Sequence, residues 1–121
     1  MEKQKQQGIK RVYLAFINSA KGFSWLIKNE AAFKQELIIS VLLITTSFFL
    51  NINAFEQLVL ISVLGFVLIV EIINTAIEAT IDRIGLEHHP LSGLAKDLGS
   101  LAVLLSLFIA FSTWGIVLCT K

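Results

Sequence analysis

Apolar residues fall into four blocks separated by short polar stretches. In the first, Ile9, Val12, Tyr13, Phe16, Ala20, Phe23 and Ile27 recur at steps of three and four, while Lys10, Arg11, Asn18, Lys21 and Lys28 lie elsewhere. That spacing predicts an amphipathic helix over 9–28, and basic residues opposite an aromatic-rich stripe suit a helix lying in a membrane interface. The second block, Leu37 to Leu50, has no charge, but its 14 residues fall short of the ~20 expected to cross a bilayer. It spans only if the helix extends into its polar flanks or the bilayer adapts. Leu58 to Val70 is apolar, and continuing to Thr80 makes a full span with a polar end. Leu98 to Thr120 carries no charge, and Gly99, Ala102, Ser106, Ala110 and Thr113 recur on it at steps of three and four, which predicts close helix packing on that face.

The pattern therefore predicts an all-α membrane protein: a polar tail over 1–8 ending in Gly8, an interfacial helix over 9–28, and transmembrane helices over 35–52, 55–80 and 97–119. Asn51 to Ala54 reads as a first turn and Gly85 to Gly93 as a second loop. The polar start, with no short apolar core behind it, predicts no cleaved signal peptide. Trp25 and Trp114 are expected as interfacial anchors, Cys119 as lipid-facing bulk, and His88 and His89 as solvated loop residues.

Composition and charge sharpen this picture. With 55% hydrophobic residues and one proline in 121, and a mean hydropathy of +0.77, the chain is too apolar for an ordinary soluble domain and long enough for only one. A net charge of +1 implies no general attraction to nucleic acid. One cysteine excludes a disulfide framework or a Cys-based metal site. Seven of the ten basic residues precede the second apolar block, none lies in the first turn, Arg83 and Lys96 flank the second loop, and Lys121 is last. That bias predicts the N-terminus and second loop in the cytoplasm, with the C-terminus outside.

The candidate chemistry lies in Glu71, Asn74, Glu78 and Asp82. At about 100° per residue these positions fall within a wedge of roughly 80°, one polar stripe on an otherwise apolar helix. An Asp at the centre of a bilayer costs about 2.5–3.5 kcal/mol even on lenient scales, so a stripe of acids there argues for use. Of nine acids, Glu30, Glu36, Glu71, Glu78, Asp82, Glu87 and Asp97 fall at or near the cytoplasmic end of an expected helix, with Lys96 beside them. Carboxylates, an amide and a lysine at that boundary suit the holding of a metal–phosphate group against something in the lipid, since Mg²⁺ favours carboxylate, phosphate and water and phosphoryl transfer needs mainly charge neutralisation, alignment and a base. The seven glycines match neither the P-loop nor the glycine-rich kinase loop.

The run Glu71-Ile-Ile-Asn74-Thr-Ala-Ile-Glu78-Ala-Thr-Ile-Asp82-Arg83-Ile-Gly85, then Leu91-Ser92-Gly93-Leu-Ala95-Lys96-Asp97-Leu-Gly99-Ser100, resembles the bacterial integral-membrane diacylglycerol kinases. Asn29-Glu30-Ala-Ala-Phe33-Lys-Gln-Glu36 matches the family's segment before its first span. The resemblance implies one diacylglycerol kinase domain over 1–121 and a homotrimer of three-span protomers in the bacterial inner membrane. It also implies sites shared between subunits at the cytoplasmic face and MgATP-dependent phosphorylation of diacylglycerol to phosphatidate. Carried over, Glu71 would be the general base, and Glu30 and Glu78 would hold Mg²⁺ on the ATP phosphates. Asn74, Lys96 and Asp97 would position the nucleotide and transferred group, while Arg11, Glu87, Ser100 and Glu36 would contact nucleotide or lipid. Asn18 departs from the pattern, standing where better-known members place an aromatic side chain on the nucleotide. Undecaprenol kinases share Glu71-x-x-Asn74-Thr75-Ala76-x-Glu78, but Asp82-Arg83-Ile84-Gly85 and Gly99-Ser100 look closer to the diacylglycerol branch. A different class, a small proton-coupled transporter, would place an acid near mid-membrane between repeated helices; here the acids bunch at one end and no repeat is evident.

Overall fold

The computed structural model describes residues 7–121, in which four helices follow one another: α1 (Gly8–Asn29), α2 (Ala31–Ser47), α3 (Ala54–Ile84) and α4 (Pro90–Cys119). Two compact units divide them, one ending at Gln35 and the other Glu36–Lys121. The expected tail lies mostly outside the described residues, and Gly8, placed at its end, opens α1.

In the first unit, α1 keeps the expected stripe exposed: Ile9, Val12, Tyr13, Phe16 and Phe23 all face outward. Its one buried residue is Leu26. The rings of Phe23 and Phe33 meet edge to face with centroids 6.0 Å apart. The helix stops at Glu30, which is extended (φ −116°, ψ 101°). The Glu30 N–H still donates to Leu26 O at 2.9 Å, and its carbonyl accepts from the Lys34 N–H at 3.1 Å. Glu30 is thus the break between α1 and α2, with its backbone satisfied on both sides.

Helix α2 begins before the expected span and ends before it. Thr45, Thr46 and Ser47 turn their hydroxyls back onto the carbonyls of Val41, Leu42 and Ile44, at 2.8, 2.8 and 2.6 Å. The N–H groups of Phe48, Phe49 and Leu50 then bond three residues back, closing the helix with tight turns. Seventeen residues at about 1.5 Å each give roughly 25 Å, short of the ~30 Å hydrocarbon layer. Helices α3 and α4, of 31 and 30 residues, are each long and apolar enough to cross a membrane, and only 17% of the most apolar window of each is buried. Buried core helices of a soluble protein would show the reverse.

Both long helices start on explicit caps. Asn53 and Glu56 form a capping box: Asn53 Oδ1 accepts from the Glu56 N–H at 2.8 Å, and the Asn53 N–H donates to Glu56 Oε1 at 3.1 Å. Pro90 occupies the first turn of α4, and His89 caps it by accepting the Leu91 N–H on Nδ1 at 3.1 Å.

Among the described residues, α3 and α4 are the one pair of helices whose backbones pack closely. They run antiparallel. Lys121 Nζ meets Glu56 Oε1 at 2.7 Å, Trp114 Nε1 donates to Leu60 O at 3.2 Å, and Lys96 Nζ meets Asp82 Oδ1 at 3.0 Å. Leu60, Leu64 and Trp114 form the core, flanked by Leu43 and Ile44 of α2 and by Val63 and Val117. Trp114 is therefore a packed side chain, 8% exposed, rather than an interfacial anchor: its indole N–H finds a carbonyl across the helix pair instead of water. Gly99, Ser106 and Ala110 share its buried face. Ala102, expected with them, is exposed, because the face follows steps of three and four through Val103 instead.

Candidate active site

The polar stripe lies on the C-terminal half of α3, and its burial falls steadily along the helix. Glu71 is 9% exposed, Asn74 and Glu78 are half-buried, and Asp82 is exposed. Asn74 Nδ2 donates to Glu78 Oε1 at 2.9 Å, one turn on. Asp82 takes the Lys96 ammonium from α4. The stripe is thus a buried acid, an amide-held acid and an ion-paired acid in sequence.

A second carboxyl approaches Glu71 from α2. The Glu36 side chain neighbours Glu71, and Glu36 Oε2 is shut off from solvent with no hydrogen-bond partner. The sequence left Glu36 undecided, because no periodicity within one helix reports a contact across two. From Glu36 an apolar groove of about 460 Å³ runs along Ile39 and Leu43 of α2, between Leu64 and Val67 of α3 and Phe111 and Trp114 of α4.

Asp97 and Ser100 lie in the second and third turns of α4, both exposed, and Glu87 is exposed in the α3–α4 loop, its carboxylate lying over Gly85. In the first unit, Arg11 and Asn18 are exposed on α1, and Glu30 is half-buried at the helix break. Glu30 makes no ion pair with Lys34; among the described residues the ion pairs are Lys96–Asp82 and Lys121–Glu56.

These donors suit Mg²⁺ only in company with a phosphate. No three Asp, Glu, His or Cys side chains among the described residues converge to hold an ion alone. Mg²⁺ on a nucleotide takes one or two carboxylates, with phosphate oxygens and water completing the shell. Glu78 has the chemistry for that: one oxygen is steadied by an amide donor, and no basic side chain among the described residues neutralises it.

A family model described as prokaryotic diacylglycerol kinase matches residues 17–118. The chain belongs to the prokaryotic diacylglycerol kinase family. A diacylglycerol kinase of Escherichia coli K12 is 46% identical over 111 residues, covering 92% of this chain and 91% of that protein. One from Pseudomonas aeruginosa is 43% identical over 113 residues, covering 93% and 92%. One from Helicobacter pylori J99 is 34% identical over 116 residues, covering 96% and 91%. Membership of this kinase family implies ATP as co-substrate and a setting in the membrane. All the candidate site residues except Arg11 fall inside the segment that the diacylglycerol kinase model matches.

Proposed function

We propose that this protein transfers the γ-phosphoryl group of MgATP to the free hydroxyl of a membrane 1,2-diacylglycerol, giving phosphatidate and ADP. The observation that carries the reading is the Glu71–Glu78 face of α3, a buried acid grading into an amide-held one, in a chain that matches diacylglycerol kinases along most of its length.

Glu71 takes the proton of the lipid hydroxyl as its oxygen attacks the γ-phosphorus, and the bond from that phosphorus to the β–γ bridging oxygen breaks. Glu36, beside Glu71, holds the base in place and contacts the lipid. Glu78 and Glu30 would hold Mg²⁺, which would supply charge neutralisation for the triphosphate. Asn74, Lys96 and Asp97 position the nucleotide, Lys96 by placing a cation where phosphoryl charge develops. Glu87 and Arg11 contact the nucleotide, and Arg11 and Ser100 the lipid head.

The reading places three spans in the bacterial inner membrane, N-terminus inside and C-terminus outside, with α2 a short span and α1 in the interface. Its support is the basic bias toward the N-terminus and second loop, and the length of α3. From Ala54 to Asn74 the helix rises about 30 Å, so a hydrocarbon layer beginning near Ala54 ends within the stripe. The reading also places residues 1–121 in one kinase domain and joins three copies into a homotrimer, since one protomer has too few helices to enclose both a nucleotide and a lipid.

The test is radiolabelled phosphate transfer from MgATP in mixed micelles, with diacylglycerol and undecaprenol offered side by side. Strong transfer to diacylglycerol is expected. Transfer mainly to undecaprenol would keep the mechanism and replace the substrate. No transfer to either by folded protein would overturn the kinase reading and favour a transporter.

A further inference from the structure

We propose that Gly99 is a positioning residue for the Glu78 carboxylate, acting through the Asn74 amide. The inference rests on the metal role assigned above to Glu78.

Asn74 offers two unlike ends. Its Nδ2 donates to Glu78 Oε1 at 2.9 Å, while its Oδ1 is shut off from solvent with no hydrogen-bond partner. That oxygen lies against Gly99 of α4: a Cβ built on Gly99 would overlap Asn74 Oδ1 and stand 3.2 Å from its Cγ. Gly99 is itself buried. The amide is therefore gripped from behind by the bare Cα of one helix and presents only its NH₂ group to the acid. The opposite orientation would set the amide oxygen against a carboxylate oxygen, two acceptors with no proton to share.

Helix propensity does not explain this glycine. Alanine is the better helix former, and Gly99 lies well inside α4. The other glycines inside the helices, Gly22, Gly65, Gly93 and Gly115, would carry a Cβ with nothing within 4 Å. A methyl at 99 would push the Asn74 side chain from its place, and the amide would lose its hold on Glu78. The sequence marks Gly99 only as one of several small residues on a packing face; its specific partner depends on the register between α3 and α4.

The experiment uses the full chain in lipid nanodiscs and titrates Mn²⁺ by electron paramagnetic resonance in the presence of a non-hydrolysable ATP analogue. Gly99→Ala is expected to weaken Mn²⁺ binding about 10–100-fold, the loss typical when the support of a metal-holding side chain is removed. Gly65→Ala, which meets open space, is expected to leave it unchanged. In an Asn74→Ala background the added methyl at 99 would sit 4.0 Å from the residue-74 Cβ, an ordinary contact. Adding Gly99→Ala there is expected to change binding by less than about twofold, because the coupling is through the amide.

Unchanged Mn²⁺ binding by folded Gly99→Ala overturns the inference if Glu78→Ala does weaken binding. If Glu78→Ala has no effect either, the metal reading itself is what fails, and the inference goes with it. Should Gly99→Ala not fold, the double variant decides. Binding equal to that of Asn74→Ala supports the route through the amide, and a further loss shows that Gly99 acts elsewhere.

Discussion

Replacing Lys96 with methionine separates two jobs available to its ammonium group: tying α4 to α3, and supplying charge to a transferring phosphoryl group. The tie is a single contact, Nζ to Asp82 Oδ1 at 3.0 Å, between side chains that are 45% and 51% exposed. Exposed pairs of this kind contribute about 0–1 kcal/mol, and methionine keeps much of the apolar stem that lies along the helix. Even a full 1 kcal/mol is a small part of the ~5–15 kcal/mol that holds a typical domain folded. Loss of a charged donor aimed at the reacting group is a larger effect, about 2.7–4 kcal/mol or 10²–10³-fold in turnover.

Lys96→Met should therefore lower the initial rate of phosphate transfer to diacylglycerol in mixed micelles by at least ~10²-fold. Its thermal-inactivation half-life and hydrodynamic size should stay close to those of the parent. Asp82→Asn breaks the same ion pair but leaves the ammonium in place, and it should cost less than about tenfold, the scale of an exposed contact. A Lys96→Met protein that keeps turnover within about threefold would remove Lys96 from the chemistry, since threefold corresponds to well under 1 kcal/mol. Equal losses in the two variants would assign the effect to the ion pair rather than to the cation.

Two further outcomes are expected. Glu71→Gln preserves the shape of the buried side chain but cannot take a proton, so turnover should fall ~10²–10⁴-fold with the hydrodynamic size unchanged by size-exclusion chromatography; parent-like turnover would exclude Glu71 as the base. Trp114→Phe removes the indole N–H from Leu60 O and leaves space in the core, so the thermal unfolding midpoint in micelles should drop by the equivalent of about 1–2 kcal/mol. An unshifted midpoint would mean that lipid or detergent replaces that contact without loss.

The helices were legible because their signals are local. The apolar stripe of α1, the uncharged stretch of α4 and the spacing of Glu71, Asn74, Glu78 and Asp82 all depend on periodicity within one helix. The end of α2 was less so: Leu37 to Leu50 reads as continuous apolar helix, but Thr45, Thr46 and Ser47 spend their hydroxyls on backbone carbonyls and let the chain turn. Trp114 was misplaced for a different reason. An indole near the end of an apolar segment has two ways to satisfy its N–H, water at an interface or a carbonyl across a helix pair, and only the register between α3 and α4 distinguishes them. The same register sets Gly99 against Asn74, and the approach of α2 brings Glu36 to Glu71. Neither contact leaves a trace in the spacing of residues along one helix.

The gradient of burial along α3 gives the proposed reaction its direction. Glu71 and Glu78 are seven residues apart, about 10 Å along the helix axis, and Asp82 and Lys96 lie beyond them at the exposed end. On the proposed mechanism a lipid hydroxyl would meet the buried acid, beside the Glu36 end of the apolar groove. A triphosphate, too highly charged to enter that environment, finds its donors and carboxylates at the wetter end. On that mechanism the two substrates need not share one solvent: each would stay in the medium that suits it, and one helix face would bring the hydroxyl and the phosphorus together between them. On this arrangement the amide of Asn74 stands at the crossing point, between the acid that handles the proton and the acid that handles the metal. A shift of that one side chain would disturb metal binding first and proton transfer second, so titrations of Mn²⁺ binding and turnover on the same variants would separate the two ends of the stripe.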